Sequence, residues 1–83
     1  MKCSIKLFAG IRETIGAQDV SLEIQPGMTA LECREKLAQS YPLAADLIRT
    51  SRLAVSNAFV SDEAPLIADS SIELALIPPV SGG

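Results

Sequence analysis

The stretch 29–41 limits what this chain can become more than any other. Thr29 is followed three residues later by Glu32. That is the spacing of a capping box, in which a hydroxyl and a carboxylate satisfy the donors that open a helix. Met28 and Cys33 occupy the staple positions around it. Beyond the cap, Ala30, Leu31, Cys33, Leu37, Ala38 and Tyr41 fall on one side of a helical wheel. Glu32, Glu35, Lys36 and Gln39 fall on the other, so the helix is amphipathic. Arg34 lies inside the apolar arc, where its stem is expected to pack while its head snorkels to water. Glu32 and Lys36 form an i,i+4 pair in the better orientation, contributing about 0.3 kcal/mol. Gln25-Pro26-Gly27 makes the turn before the helix, and Pro42 stops it at Tyr41. One long amphipathic helix needs an apolar surface to cover.

The flanking segments supply that surface as strands. Residues 2–8 alternate, with Cys3, Ile5 and Leu7 on one side and Ser4, Lys6 and Phe8 on the other. This is the pattern of a half-buried strand. Ala9-Gly10 breaks it, and Arg12-Glu13-Thr14-Ile15-Gly16 reads as a loop or a single helical turn. Residues 19–24 alternate again with Val20, Leu22 and Ile24 inward, close enough in sequence to pair antiparallel with the first strand. After the helix, residues 43–48 suggest a short second helix. Residues 53–55 and Phe59-Val60 read as short strands around a Ser56-Asn57 turn. Asp62-Glu63-Ala64-Pro65 is loop, and Asp69-Ser70-Ser71 is a turn into a final strand over 72–77. In that strand Ile72, Leu74 and Leu76 face one way, and Glu73, Ala75 and Ile77 the other. The expectation is an α+β domain: a mixed sheet of about five strands with the helix on one face. The first and last strands lie parallel in its middle. Phe8 and Ile77 then sit on the face the helix cannot cover.

Composition narrows the function. An 83-residue chain is one domain with a modest core. Yet 48% of it is hydrophobic and its mean hydropathy is +0.31. Part of that apolar surface must stay outside, which points to a protein partner. A net charge of −3 leaves no basic footprint for nucleic acid. No apolar run approaches the ~20 residues of a membrane span, and no signal-peptide core opens the chain. A cytoplasmic, reducing compartment is expected, with Cys3 and Cys33 as core thiols. The chain has no histidine, the commonest general base and metal ligand. Its ten Asp and Glu are scattered. No metal, no bound cofactor and no catalytic pair of its own are expected.

The chain ends Pro78-Pro79-Val80-Ser81-Gly82-Gly83. Two prolines leave the segment stiff and extended. Ser-Gly-Gly lets backbone approach another surface closely. Six extended residues reach about 20 Å. Residues 1–77 thus form the domain and 78–83 a tail shaped to enter another protein's active site.

A hairpin, a helix, returning strands and a Gly-Gly carboxylate resemble the β-grasp fold of ubiquitin-like proteins. The end, Leu76-Ile77-Pro78-Pro79-Val80-Ser81-Gly82-Gly83, resembles that of the small, sulfur-carrying subunit of molybdopterin synthase. Phe8-Ala9-Gly10-Ile11-Arg12-Glu13 resembles that family's Phe-Ala-x-x-Arg-Glu segment. Leu53-Ala54-Val55-Ser56-Asn57 and Pro65-Leu66 also sit where the family has similar stretches. Two departures concern loops: Ser56 stands between Val55 and Asn57, and the turn Asp69-Ser70-Ser71 has no glycine. The resemblance implies a chemistry centred on Gly83. A ubiquitin-activating-like adenylyltransferase would use ATP to form an acyl-adenylate there. A persulfide sulfur donor would convert it to a thiocarboxylate. The tail would then enter the large synthase subunit, two copies of each subunit assembling, and give its sulfur to a cyclic pyranopterin monophosphate. The implied partner-binding residues are Phe8, Arg12, Phe59, Ile77, Pro78, Pro79, Val80, Ser81 and Gly82. Arg12 is either a solvated cation or a partner for an acidic group on the activating enzyme. The same tail also fits a sulfur carrier for thiamin or tRNA thiolation, a ubiquitin-like modifier joined through Gly83, or an inert β-grasp interaction module.

Overall fold

The alternation in the first strand places three side chains under the sheet, and the rest of the fold closes over them. The computed structural model describes residues 2–66 and 72–79. In order, the elements are β1 (Lys2–Leu7), α1 (Ala9–Ile15), β2 (Asp19–Glu23) and α2 (Ala30–Ser40). A 3-10 turn (Pro42–Ala44), α3 (Ala45–Thr50), β3 (Arg52–Val55), β4 (Ala58–Phe59) and β5 (Leu74–Ile77) follow. The sheet order is β2-β1-β5-β3-β4. β1 pairs antiparallel with β2, and parallel with β5 in the register Ile5–Leu74 to Leu7–Leu76. β5 pairs antiparallel with β3, and β3 with β4. The expected parallel centre and single covered face are both present.

Cys3, Ile5 and Leu7 of β1, Val20 and Leu22 of β2, and Leu74 and Leu76 of β5 are buried against Ala30, Cys33, Leu37 and Ala38 of α2. Ile24, Ile48, Leu53 and Leu66 complete this core. Each fully buried aliphatic side chain contributes roughly 1.5–3 kcal/mol.

α2 opens as the sequence predicts. Thr29 Oγ1 accepts from the Glu32 amide at 3.2 Å, and Glu32 Oε1 accepts from the Thr29 amide at 2.9 Å. The remaining first-turn donors find partners far along the chain. The Ala30 amide donates to the Ala64 carbonyl and the Leu31 amide to the Asp62 carbonyl, each at 3.0 Å. The Leu66 amide donates to Met28 O at 2.7 Å, so loop 62–66 is moored along the helix start. Glu32 is thus engaged with Thr29, and Lys36 Nζ donates to the Glu23 carbonyl at 3.2 Å. The expected Glu32–Lys36 pairing gives way to these contacts.

Three expectations are corrected here. The segment after β1 is a helix of seven residues, not a loop or one turn. It starts at Ala9, in a left-handed backbone conformation with φ 50, and places Ile11 fully in the core. It ends at Gly16, whose φ of 81 lets its amide close on the Arg12 carbonyl. Leu31 is 45% exposed rather than inward, because it lies at the edge of the apolar arc. Arg34 does not snorkel: it is 7% exposed. Its Nη1 donates to the carbonyls of Arg49 and Ser51, both at 2.9 Å, and its Nη2 to the Asp62 carboxylate. A buried guanidinium is tolerated because these acceptors meet it on two sides.

Candidate functional site

The face of the sheet away from α2 has no helix over it. Parity in β1 sends Lys6 and Phe8 there, and parity in β5 sends Ala75 and Ile77. The two-residue turn Ser56-Asn57, with φ of 49 and 70, folds β4 back and brings Phe59 opposite Ala54. Positive φ at both central residues is the signature of a type I′ hairpin. Phe8 and Phe59 are 41% and 50% exposed. Ile77 is half-buried rather than fully exposed. The reason is its central strand: it follows the Leu7–Leu76 pair, beside Phe8, and is matched on the other side with Arg52.

These residues converge. A concavity of about 230 Å³ is lined by Phe8, Phe59 and Ile77 together with Lys6, Ala54 and Glu73. A wider apolar hollow continues past Phe8 to Ala9, Leu47, Pro78 and Pro79. Phe8 and Ile77 form the ridge shared by both. Gly10 keeps this edge tight, since a Cβ there would meet Leu47 Cδ2 at 3.1 Å. The chain therefore leaves β5 through Pro78 and Pro79 directly beside the exposed aromatic ring. Arg12 lies on α1, not in a loop, and borders a third depression with Lys6, Phe8 and Asp19. Of the expected site residues, Phe8, Arg12, Phe59, Ile77, Pro78 and Pro79 are brought to one edge. Val80, Ser81, Gly82 and Gly83 lie outside the described residues, as does the turn 69–71.

Sequence reasoning missed Arg52. Its guanidinium lies 4.1 Å from the centre of the Phe59 ring, within cation–π range. The signal was available: Arg52 shares the parity of Ala54, which faces outward between Phe59 and Ala75.

Burial pushes the Cys33 thiol up to about 11, with Cys3 beside it adding to the shift. Both cysteines are buried thiols, and a thiol so shifted is a poor nucleophile near neutral pH. Among the described residues no group of three His, Cys, Asp or Glu is placed to hold a metal ion. Among them, too, no helix is long and apolar enough to cross a membrane.

The sequence profile of the ThiS family matches residues 5–83. This chain belongs to the ThiS family. A molybdopterin synthase sulfur carrier subunit of Arabidopsis thaliana is 32% identical over 83 residues, covering all of this chain and 84% of that protein. SAMP1 from Haloferax volcanii has the same fold, with a TM-score of 0.80 at 23% identity and full coverage of both chains. A chain of the complex of subunits 1 and 2 of molybdopterin-converting factor from Helicobacter pylori superposes with a TM-score of 0.64 at 18% identity, again over both full chains. Caldiarchaeum subterraneum ubiquitin superposes with a TM-score of 0.69 at 28% identity over 100% of this chain and 98% of that one, so this ThiS-family member has the ubiquitin-like β-grasp fold, and the resemblance to the molybdopterin synthase small subunit is borne out by the Arabidopsis relative.

Proposed function

We propose that this ThiS-family chain is the sulfur carrier of a molybdopterin synthase, and that its catalytic side chains are supplied by a large subunit. The observation that supports this reading is the convergence of Phe8, Phe59 and Ile77 with Pro78-Pro79, an apolar edge beside the end of β5 suited to docking. A full-length relative named as such a subunit supports the same reading.

The chemistry runs through Gly83. Its carboxylate attacks the α-phosphorus of ATP on an adenylyltransferase, releasing pyrophosphate and leaving an acyl-adenylate. A persulfide sulfur attacks the acyl carbon and expels AMP. A second thiol then cleaves the sulfur–sulfur bond, leaving a thiocarboxylate. That sulfur is a nucleophile at neutral pH, so this chain needs no base, in keeping with its lack of histidine. The chain's own contribution is positional. The outer face docks, Pro78 and Pro79 hold the exit extended, and Ser81-Gly82-Gly83 threads a narrow channel because it carries almost no side chain. In the large subunit the sulfur passes to a pyranopterin.

The test is intact mass after incubation with the adenylyltransferase, ATP and a persulfide donor. The full chain gains about 16 Da, one oxygen exchanged for sulfur at its terminus. Deletion of Gly83 abolishes the gain without changing the fold. Replacing both cysteines with Ala leaves it intact. A full chain that never gains this mass with a competent adenylyltransferase overturns the proposal.

A further inference from the structure

The cations of this acidic chain are distributed unevenly. On the helix side Arg34 is caged by two carbonyls and Asp62, Lys36 donates to Glu23 O, and Arg49 pairs with Glu35 at 3.2 Å. Around the Phe8–Ile77–Phe59 surface, the side chains of Lys6, Arg12 and Arg52 make no ion pair with another described residue. Of the three, Arg52 has a ring contact: it is the first residue of β3, is matched across the ladder with Ile77, and its guanidinium carbon lies 4.1 Å from the centre of the Phe59 ring. Arg52 is exposed, and no ion pair or hydrogen bond with another described residue takes its guanidinium donors. A planar fork held in one orientation loses little freedom when it accepts a bidentate partner. The ligand whose geometry fits such a fork is a carboxylate. Glu73, the one acid among the described residues lining this concavity, precedes β5 at the end away from Ile77.

We propose that Arg52, in contact with the Phe59 ring and matched across the ladder with Ile77, receives an Asp or Glu side chain of the protein that takes up the tail. Arg52 thereby sets which partner docks on this face. The partner surface is an apolar knob for the Phe8–Ile77 ridge with a carboxylate beside it. The net charge of −3 disfavours a polyanionic nucleic acid in that role. The inference rests on the sulfur-carrier reading, with the large synthase subunit as the partner.

The experiment is a calorimetric titration of the full chain and its variants with the purified large subunit, at about 0.1 M and about 1 M salt, between which the screening length falls from about 10 Å to about 3 Å. Arg52→Gln is expected to weaken binding roughly tenfold at the lower salt, the scale of one charge-assisted hydrogen-bonded pair. The deficit shrinks at the higher salt. Arg52→Lys loses less, and Arg52→Glu loses more, through repulsion. Melting temperatures stay with the parent. Phe8→Ala serves as the internal reference. If Phe8→Ala weakens binding while Arg52→Gln and Arg52→Glu bind within twofold of the parent, the Arg52 proposal falls and the docking face stands. A tenfold loss with no salt dependence also overturns it, since Arg52 would then act only by bracing Phe59. If neither Phe8→Ala nor any Arg52 variant changes affinity, the docking reading itself fails.

Discussion

Arg34, on the helix beneath the sheet, and Arg52, on the open face above it, are the same residue type put to opposite uses. Arg34 is 7% exposed and its donors are consumed by Arg49 O, Ser51 O and Asp62. It ties α2 to the end of α3 and to the loop after β4. Arg52 meets an aromatic ring and no acid among the described residues. The same division holds for apolar groups: Ile5, Leu37 and Leu76 are sealed beneath the sheet, while Phe8 and Phe59 remain in water above it. Under the sheet, side chains are spent on the fold; above it, Phe8, Phe59 and Arg52 stay exposed.

The sharpest way to break this contrast is to remove Arg34. Arg34→Ala strands the buried Ser51 carbonyl and the part-buried Arg49 carbonyl, and should cost about 3 kcal/mol in urea unfolding. Asp62→Ala should cost less than Arg34→Ala, because Arg34 keeps its two carbonyl acceptors and the carboxylate it loses was more than half exposed. Equal losses for the two would show that the ion pair, rather than the carbonyl cage, carries the stability.

A smaller effect is expected at the helix start. Thr29→Ala removes the hydroxyl acceptor of the capping box and should cost about 1 kcal/mol. The box also has a pH signature. Hydrogen bonds from the Thr29 amide and hydroxyl hold the Glu32 carboxyl below its ordinary value of 4.5. A folded-state value below the unfolded one means the contribution is present above pH 4.5 and fades as pH falls through the folded value. Glu32→Gln keeps the box geometry and should flatten the stability profile only in that acid window.

Legibility in the sequence followed the range of the interactions. The capping box and the alternating strands rest on local spacing and parity, and each was readable; the parallel pairing of β1 with β5, far apart in sequence, was expected from the order of strands and helix rather than from a local pattern. α1 was not. Seven residues are too few for a helix to persist alone, and Ala9-Gly10 reads as a break. The helix exists because Ile11 fits the core and Gly10 admits Leu47. Arg34 sat visibly within the apolar arc, but its acceptors are 15 to 28 residues away, where no pattern announces them. Phe8, Phe59 and Ile77 were readable as outward residues. Arg52 carried the same parity signal as Ala54, and its stacking on Phe59 needed the hairpin geometry of Ser56 and Asn57.

The claim that the open face, and not exposure as such, carries recognition has a direct test. Leu43 is 92% and Leu31 45% exposed, both more so than Phe8 at 41%, yet they lie away from the open face of the sheet. Affinity for the large synthase subunit should be measured for Phe8→Ala and Ile77→Asp beside Leu43→Asp and Leu31→Asp. The first two should weaken binding by about 2 kcal/mol or more if either is an anchor, Phe8→Ala with folding stability little changed, and the two leucine variants should bind as the parent does. Loss of binding in the leucine variants, with Phe8→Ala and Ile77→Asp unaffected, would contradict the account.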